Sequence, residues 1–272
     1  MDDLLHELRS LAEEGHLSAQ FNLGAAYENG IDVKQDYGEA IYWYQKAAEQ
    51  GHAPSQNNLG SMYHNGRGVP QDDATAVNWY RLAARRGNPT AQTNLGHMYA
   101  KGLGVLQDYA ESARWYRLAC AHEMADPVAL TNLSVFYSMA WGVETNEQEA
   151  VRLLRLAADQ GYLNAIDSLG LHYQYGQGVP QDFQQAITCF RFAANTGYKN
   201  SQQNLGNLYL HGQGVPQDYV LAYMWFNLAA AQSSADNQVA GVLRDSVSEK
   251  MSPTQIAEAQ RLAREWEAKR TE

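Results

Sequence analysis

Three nearly identical glycine-rich stretches are the first candidates for chemistry: GRGVPQD at 66–72 and GQGVPQD at 176–182 and 212–218. A turn that presents successive backbone N–H groups can cradle a phosphate. That chemistry requires a preceding strand, and either a third glycine at dinucleotide spacing or a Gly-Lys-Ser/Thr run. The chain has neither glycine pattern, and no strand-like run leads into the loops. The eight histidines (His6, His16, His52, His64, His97, His122, His172 and His211) include no pair at metal-site spacing on one helix. The two cysteines, Cys120 and Cys189, match no metal or disulfide framework. No Gly-x-Ser-x-Gly, Cys–His arrangement or converging carboxylate pair is present. The expectation is a chain that is not an enzyme and carries no metal and no cofactor.

The loops make sense once the elements that hold them are read. Aligned on Asn-Leu-Gly, the glycine recurs at Gly24, Gly60, Gly96, Gly170 and Gly206, with Ser134 in the fourth place. The intervals are 36, 36, 38, 36 and 36 residues. Three residues on stands a tyrosine (Tyr27, Tyr63, Tyr99, Tyr137, Tyr173, Tyr209), and nine on a valine. Twelve on comes Asp36, Asp72, Asp108, Asn146, Asp182 or Asp218. An aromatic pair such as Trp43-Tyr44 follows, then Ala47-Ala48 or its equivalents.

Residues 18–29 read as a first helix, with Ala19, Leu23 and Tyr27 on one face. Gly30 closes it in the left-handed region. Gly68 supplies a further turn, Pro70 keeps Val69 extended, and Asp72 caps the second helix. Asp36 with Glu39, and Asp108 with Glu111, fit a reciprocal capping box. The glycine loops are therefore corners between helices. Cys120 falls in the Ala-Ala slot and Cys189 in the tryptophan slot, so both are expected to be buried, inert thiols. Neighbouring units would bring His64 and His97 to one face.

Helix pairs of 36 residues bury their apolar faces only by stacking, which makes an α-solenoid. The start of the chain matches a second helix without its first, with Leu11-Ala12 and Gly15 in template positions. After Ala231 the template dissolves. Residues 235–251 read as a helix with Val239, Val242, Leu243 and Val247 inward. Ser252-Pro253-Thr254-Gln255 then caps a last helix whose stripe is Ile256, Ala259, Ala263 and Trp266. The expected layout is an N-terminal capping helix (1–17), six repeats (18–232) and a two-helix C-terminal cap (233–272).

Composition agrees with a folded chain: 45% hydrophobic and 18% charged over 272 residues. A net charge of -10 repels a phosphate backbone, so no nucleic-acid partner is expected. No apolar run nears the ~20 residues that span a bilayer, so no membrane insertion is expected. The start, MDDLLHELRSLAEEG, lacks a basic segment followed by an apolar one, which points to the cytoplasm, with an exported, trimmed form left open.

The pattern A-Q-x-N-L-G-x-x-Y-x-x-G-x-G-V-x-x-D…W-Y…A-A…G resembles the Sel-one-like repeat family, from about residue 4 to 232. The resemblance implies an all-α, right-handed α-α superhelical solenoid of six 36-residue repeats, related to tetratricopeptide repeats. It implies a scaffold for other proteins, as in signalling, envelope assembly, secretion and host interaction, with immunity or inhibitor proteins as an alternative role. A cysteine-rich branch linked to penicillin binding needs paired cysteines in each repeat, which this chain lacks. A monomer is expected, with a dimer left open.

In such solenoids the first helix lines the concave surface, where positions that vary between units are free for recognition. Four positions, three before and one, four and five after the glycine, share that face by helical spacing. Early units are polar there. Later ones present Val135, Met139, Leu171, Tyr175 and Leu210, with His97, Lys101 and His211 nearby. An apolar and aromatic stripe with a polar surround fits a protein or peptide partner. Only Lys101 carries a fixed charge there, so a clamp for peptide C-termini is not expected. The recurring asparagine (Asn22, Asn58, Asn94, Asn132, Asn204) reads either as a peptide-binding ladder or as a tie between repeats. The fourth unit departs from the template, with Ala140-Trp141-Gly142 in the loop, Leu153-Leu154 for the aromatic pair, and two extra residues within Ala121–Pro127. Trp141 reads as a loop contact or as drift.

Overall fold

A computed structural model describes residues 2–122, 125–232 and 239–271. The described residues form helices joined by short turns, with no strand among them. Two compact units share the chain. The first, Met1–Thr145, holds α1 (Asp2–Glu13), α2 (Leu17–Asn29), α3 (Tyr37–Glu49) and α4 (Ala53–Asn65). It continues with α5 (Asp73–Arg85), α6 (Pro89–Lys101), α7 (Tyr109–Cys120) and α8 (Pro127–Met139). The second, Asn146–Glu272, holds α9 (Glu147–Asp159), α10 (Leu163–Tyr175), α11 (Phe183–Asn195) and α12 (Lys199–His211). It ends with α13 (Tyr219–Ala231), α14 (Val239–Ser248) and α15 (Pro253–Thr271). Within each unit the main helix contacts join neighbours in sequence, apart from α13 with α15. The division falls inside the fourth repeat, the one that departs from the template.

The Asn-Leu-Gly glycine lets two helices touch. A methyl group built at Gly24, Gly60 or Gly96 would lie 2.6–2.9 Å from the ring of Tyr44, Tyr80 or Tyr116. Each ring is buried against the helix it meets, at 0–3% exposure. Burial holds these phenols in the neutral form, raising the Tyr80 pKa to about 12. The second loop glycine answers a different approach. Gly68 sits at φ 73°, and a methyl group there would meet Cβ of Tyr37, at the start of the preceding repeat's second helix, at 2.6 Å.

The capping aspartates behave as expected in one half only. Asp36 accepts from the backbone N–H groups of Gly38 (2.9 Å) and Glu39 (3.1 Å), and Asp108 from Glu111 (2.9 Å). The reciprocal half of the box is replaced. The cap's own N–H donates to the carbonyl of the repeat tyrosine, as in Asp36 to Tyr27 (2.9 Å) and Asp108 to Tyr99 (3.0 Å). Glu39 accepts from the Trp43 indole N–H instead, and Glu111 pairs with Arg114.

Two side-chain ties join successive repeats. Gln20, Gln56, Gln92 and Gln202 donate to the carbonyls of Ala12, Ala48, Ala84 and Ala194 in the preceding second helix. Arg81, Arg117, Arg155 and Arg191 donate to the hydroxyls of Tyr99, Tyr137, Tyr173 and Tyr209 in the next first helix. Arg9 does the same to Tyr27 from α1. These bonds explain why a tyrosine, not a phenylalanine, fills that slot.

After α13, the reading of 235–251 needs correction. Positions 235–238 lie outside the described residues. In α14, Val239 and Val242 are exposed (52% and 66%), while Ala240 and Val247 are buried and Leu243 is half-buried. The inward stripe follows the 240/243/247 spacing, so Val239 and Val242 point off it. The last helix starts as expected: Ser252 N–H donates to Gln255 (2.8 Å), and Gln255 N–H to the Ser252 hydroxyl (3.3 Å). Ala259 and Ala263 are buried, and Trp266 meets Trp225 edge-on at 5.9 Å.

Candidate protein-binding surface

The four variable slots of the first helices separate by burial. Thr93, Thr131 and Asp167, three before the glycine, are buried at 5–6% exposure. Ala100 and Gln174, four after it, are buried too. The slot five after it faces solvent in every repeat: Asn29, Asn65, Lys101, Met139, Tyr175 and His211. It holds the two most exposed large apolar side chains of this face, Met139 (60%) and Tyr175 (63%).

In the first unit, His97 and Lys101 on α6 and Val135 and Met139 on α8 are all exposed. Although the side chain reaches solvent, partial desolvation of its ring by the surrounding protein holds His97 below its ordinary value, with Lys101 and His64 adding repulsion. His64 is itself engaged, with Nδ1 2.6 Å from Asp73. Among the described residues no group of three or more metal-ligating side chains forms.

In the second unit, Tyr175 and His211 are exposed, while Leu171 and Leu210 are half-buried. Leu171 packs against the cluster that holds Phe190 and Leu205, and Leu210 against the one that holds Tyr223 and Phe226. Asp167 on α10 reaches α12, accepting from Ser201 Oγ (2.5 Å) and Asn204 Nδ2 (2.9 Å). Burial raises its pKa, and those two bonds oppose the rise.

Four of the five recurring asparagines bond to protein groups, whereas Asn22 is exposed and lines the groove between α1 and α2. Asn94 donates to Asn57 of the preceding repeat at 3.0 Å, and Asn204 to Asp167. Asn132 donates to the Tyr116 hydroxyl at 3.2 Å, and Asn58 bonds Tyr44. Trp141 is 39% exposed and stacks on Tyr109 (4.9 Å, 15°), with Phe136 edge-on at 5.7 Å. Ala140 before it takes the left-handed conformation (φ 55°) that glycine supplies at Gly30 or Gly66. The thiols are half-buried rather than buried. Burial and the nearby Asp167 charge push the Cys189 pKa up to about 11, so it stays a thiol at neutral pH.

Sequence patterns missed one feature. A groove of about 540 Å³ opens between α1 and α2, lined by Leu5, Leu8, Leu11, Ala25, Ala26 and Ile31. Leu8 occupies the slot of Tyr44, whose ring is covered by a first helix at Gly24. The signal was the match of α1 to a second helix without its first.

Stacked helical hairpins, ties from repeat to repeat and a variable solvent-facing slot define an all-helical tandem-repeat protein. Six successive matches to the Sel1 repeat cover residues 17–52, 53–88, 89–123, 127–162, 164–198 and 199–234. The chain belongs to the Sel1 repeat family, whose members are generally non-catalytic scaffolds for protein interaction. A Sel1 repeat protein from Oxalobacter formigenes is 30% identical and has the same fold, with TM-score 0.72, over 82% of this chain and 88% of its own. The protective antigen c5321 of uropathogenic Escherichia coli, which displays an SLR fold, is 29% identical. That match covers 96% of this chain and 71% of the antigen, at TM-score 0.48. The immunity protein Pa5087 from Pseudomonas aeruginosa is 22% identical, over 82% and 86% of the two chains, at TM-score 0.44. No curated protein matches the chain. Among the described residues no helix is long and apolar enough to cross a membrane.

Proposed function

We propose that the chain is a non-catalytic adaptor that holds a protein or peptide partner on the solvent-facing side of its first helices. One observation carries the reading. The slot five after the glycine faces solvent in every repeat, and its occupants run from asparagine in the first two repeats through lysine to methionine, tyrosine and histidine in later ones. Exposed tyrosine and methionine suit protein contact, the first by stiffness and area, the second by adaptability. His97 and Lys101 in the first unit and His211 in the second supply polar rim groups. Leu171 and Leu210 serve mainly by shaping the helices beneath the exposed residues.

The test is affinity capture from a bacterial lysate with identification of what binds. Wild-type protein is compared with Met139→Ala and Tyr175→Ala, each checked for helicity by circular dichroism. Loss of a captured partner in either variant, with helicity kept, supports the reading; unchanged capture by both overturns it. A single stoichiometric partner would instead favour an immunity or inhibitor role.

A further inference from the structure

The slot immediately before the Ala-Ala pair is apolar and open on four second helices. Leu82, Leu118, Leu156 and Phe192 are 41%, 40%, 42% and 57% exposed. The alanine after each is fully buried, so the exposure is not loose packing. The fifth member shows how the slot is closed. Leu228 on α13 is 2% exposed, in one cluster with Ala263, Leu262 and Trp266 of α15. Trp266 also donates its indole N–H to Asn195 at the end of α11 (3.4 Å). The slot thus accepts an amphipathic helix laid along the outer side of the second helices.

In the first unit this side is also basic. Arg85 and Arg86 stand three and four residues after Leu82, and Arg114 four before Leu118, all exposed. The acids of α5 and α7 are engaged: Asp73 with His64, and Glu111 with Arg114. Arg114 is thereby spent on Glu111, and Arg85 and Arg86 are the positive charge left over on this strip of a chain whose net charge is -10.

We infer that Leu82 and Leu118, with Arg85 and Arg86 beside Leu82, form a docking strip for an acidic amphipathic helix of a partner protein. An amphipathic helix laid across α5 and α7 turns its apolar stripe to the two leucines. Carboxylates flanking that stripe pair with the arginines. The strip lies on the second helices, so its failure would leave the first-helix reading intact.

The probe is a fluorescein-labelled 18-residue helical peptide with leucine at every third or fourth position and glutamate and alanine elsewhere. Its control replaces every glutamate by lysine. Fluorescence anisotropy with the full chain is expected to give saturable binding that weakens with salt, and at least tenfold weaker binding of the control. The Leu82→Asp/Leu118→Asp variant and the Arg85→Glu/Arg86→Glu variant each lose at least tenfold, with unchanged circular dichroism, while Tyr175→Ala binds as wild type. Absence of saturable binding, equal binding by either double variant, or equal binding of the lysine control overturns the inference. So does a concentration-dependent dimer, by sedimentation, that Leu82→Asp/Leu118→Asp abolishes, because the occupant would then be a second copy.

Discussion

At the scale of single residues, three positions carry costs that substitution can expose. Gly60→Ala pushes a methyl group into the Tyr80 ring. Overpacking of this kind costs about 1–3 kcal/mol, against about 1 kcal/mol gained in helix propensity. A net loss of up to about 2 kcal/mol is expected in urea unfolding, and it should reverse in a Tyr80→Leu background, where only the propensity gain remains. Ala140 pays for a left-handed backbone. Ala140→Gly should stabilise by about 0.5–1 kcal/mol, the relief of strain less the added chain entropy. Asp167 is buried with its pKa raised above 3.8, chiefly by desolvation. Its neutral form is favoured in the folded chain, so its contribution is full below pH 3.8 and is lost as pH rises through the higher folded value. Asp167→Asn keeps an acceptor for Ser201 and Asn204 without the charge. Its urea midpoint should exceed wild type at pH 7, and the gap should close towards pH 4.

At the scale of elements, the helix pairs and their caps could be read from spacing, because each depends on residues a few positions apart. Removing one cap, as in Asp108→Ala, should cost about 1 kcal/mol in the same assay. That the reciprocal half of the expected capping box would be replaced could not be foreseen. Its donor is taken by the Tyr99 carbonyl, nine residues back, an acceptor that exists only once the loop has closed. The arginine–tyrosine and glutamine–alanine ties were likewise hidden, since they join residues 18 or 20 and 8 positions apart on different helices. For the candidate surface, the slot five after the glycine was legible as exposed. Periodicity grouped Leu171 and Leu210 with it, whereas packing against neighbouring helices half-buries both. Trp141 was legible as unusual, but its stacking on Tyr109 depends on a partner from another helix.

At the scale of the whole molecule, each unit is held by nearest-neighbour contacts, so damage should stay local. Trp266→Ala removes the ring that meets Trp225 and bonds Asn195. Hydrogen exchange should quicken in α11, α13 and α15, while α2 to α7 keep wild-type protection. Equal loss of protection throughout would mean that the two units unfold as one.

The two kinds of turn differ in how much change they admit. Between tyrosine and capping aspartate the backbone clasps itself across nine positions, at Tyr27–Asp36 as at Tyr209–Asp218, and an added residue would spring the clasp. The return turn has a shorter clasp, as in Asn88 N–H to the Ala83 carbonyl (3.2 Å), and a variable length: three residues separate α5 from α6, but six separate α7 from α8. New material can therefore enter this architecture at one edge only, and a loop grafted after Ala121 should ride on an otherwise unaltered stack.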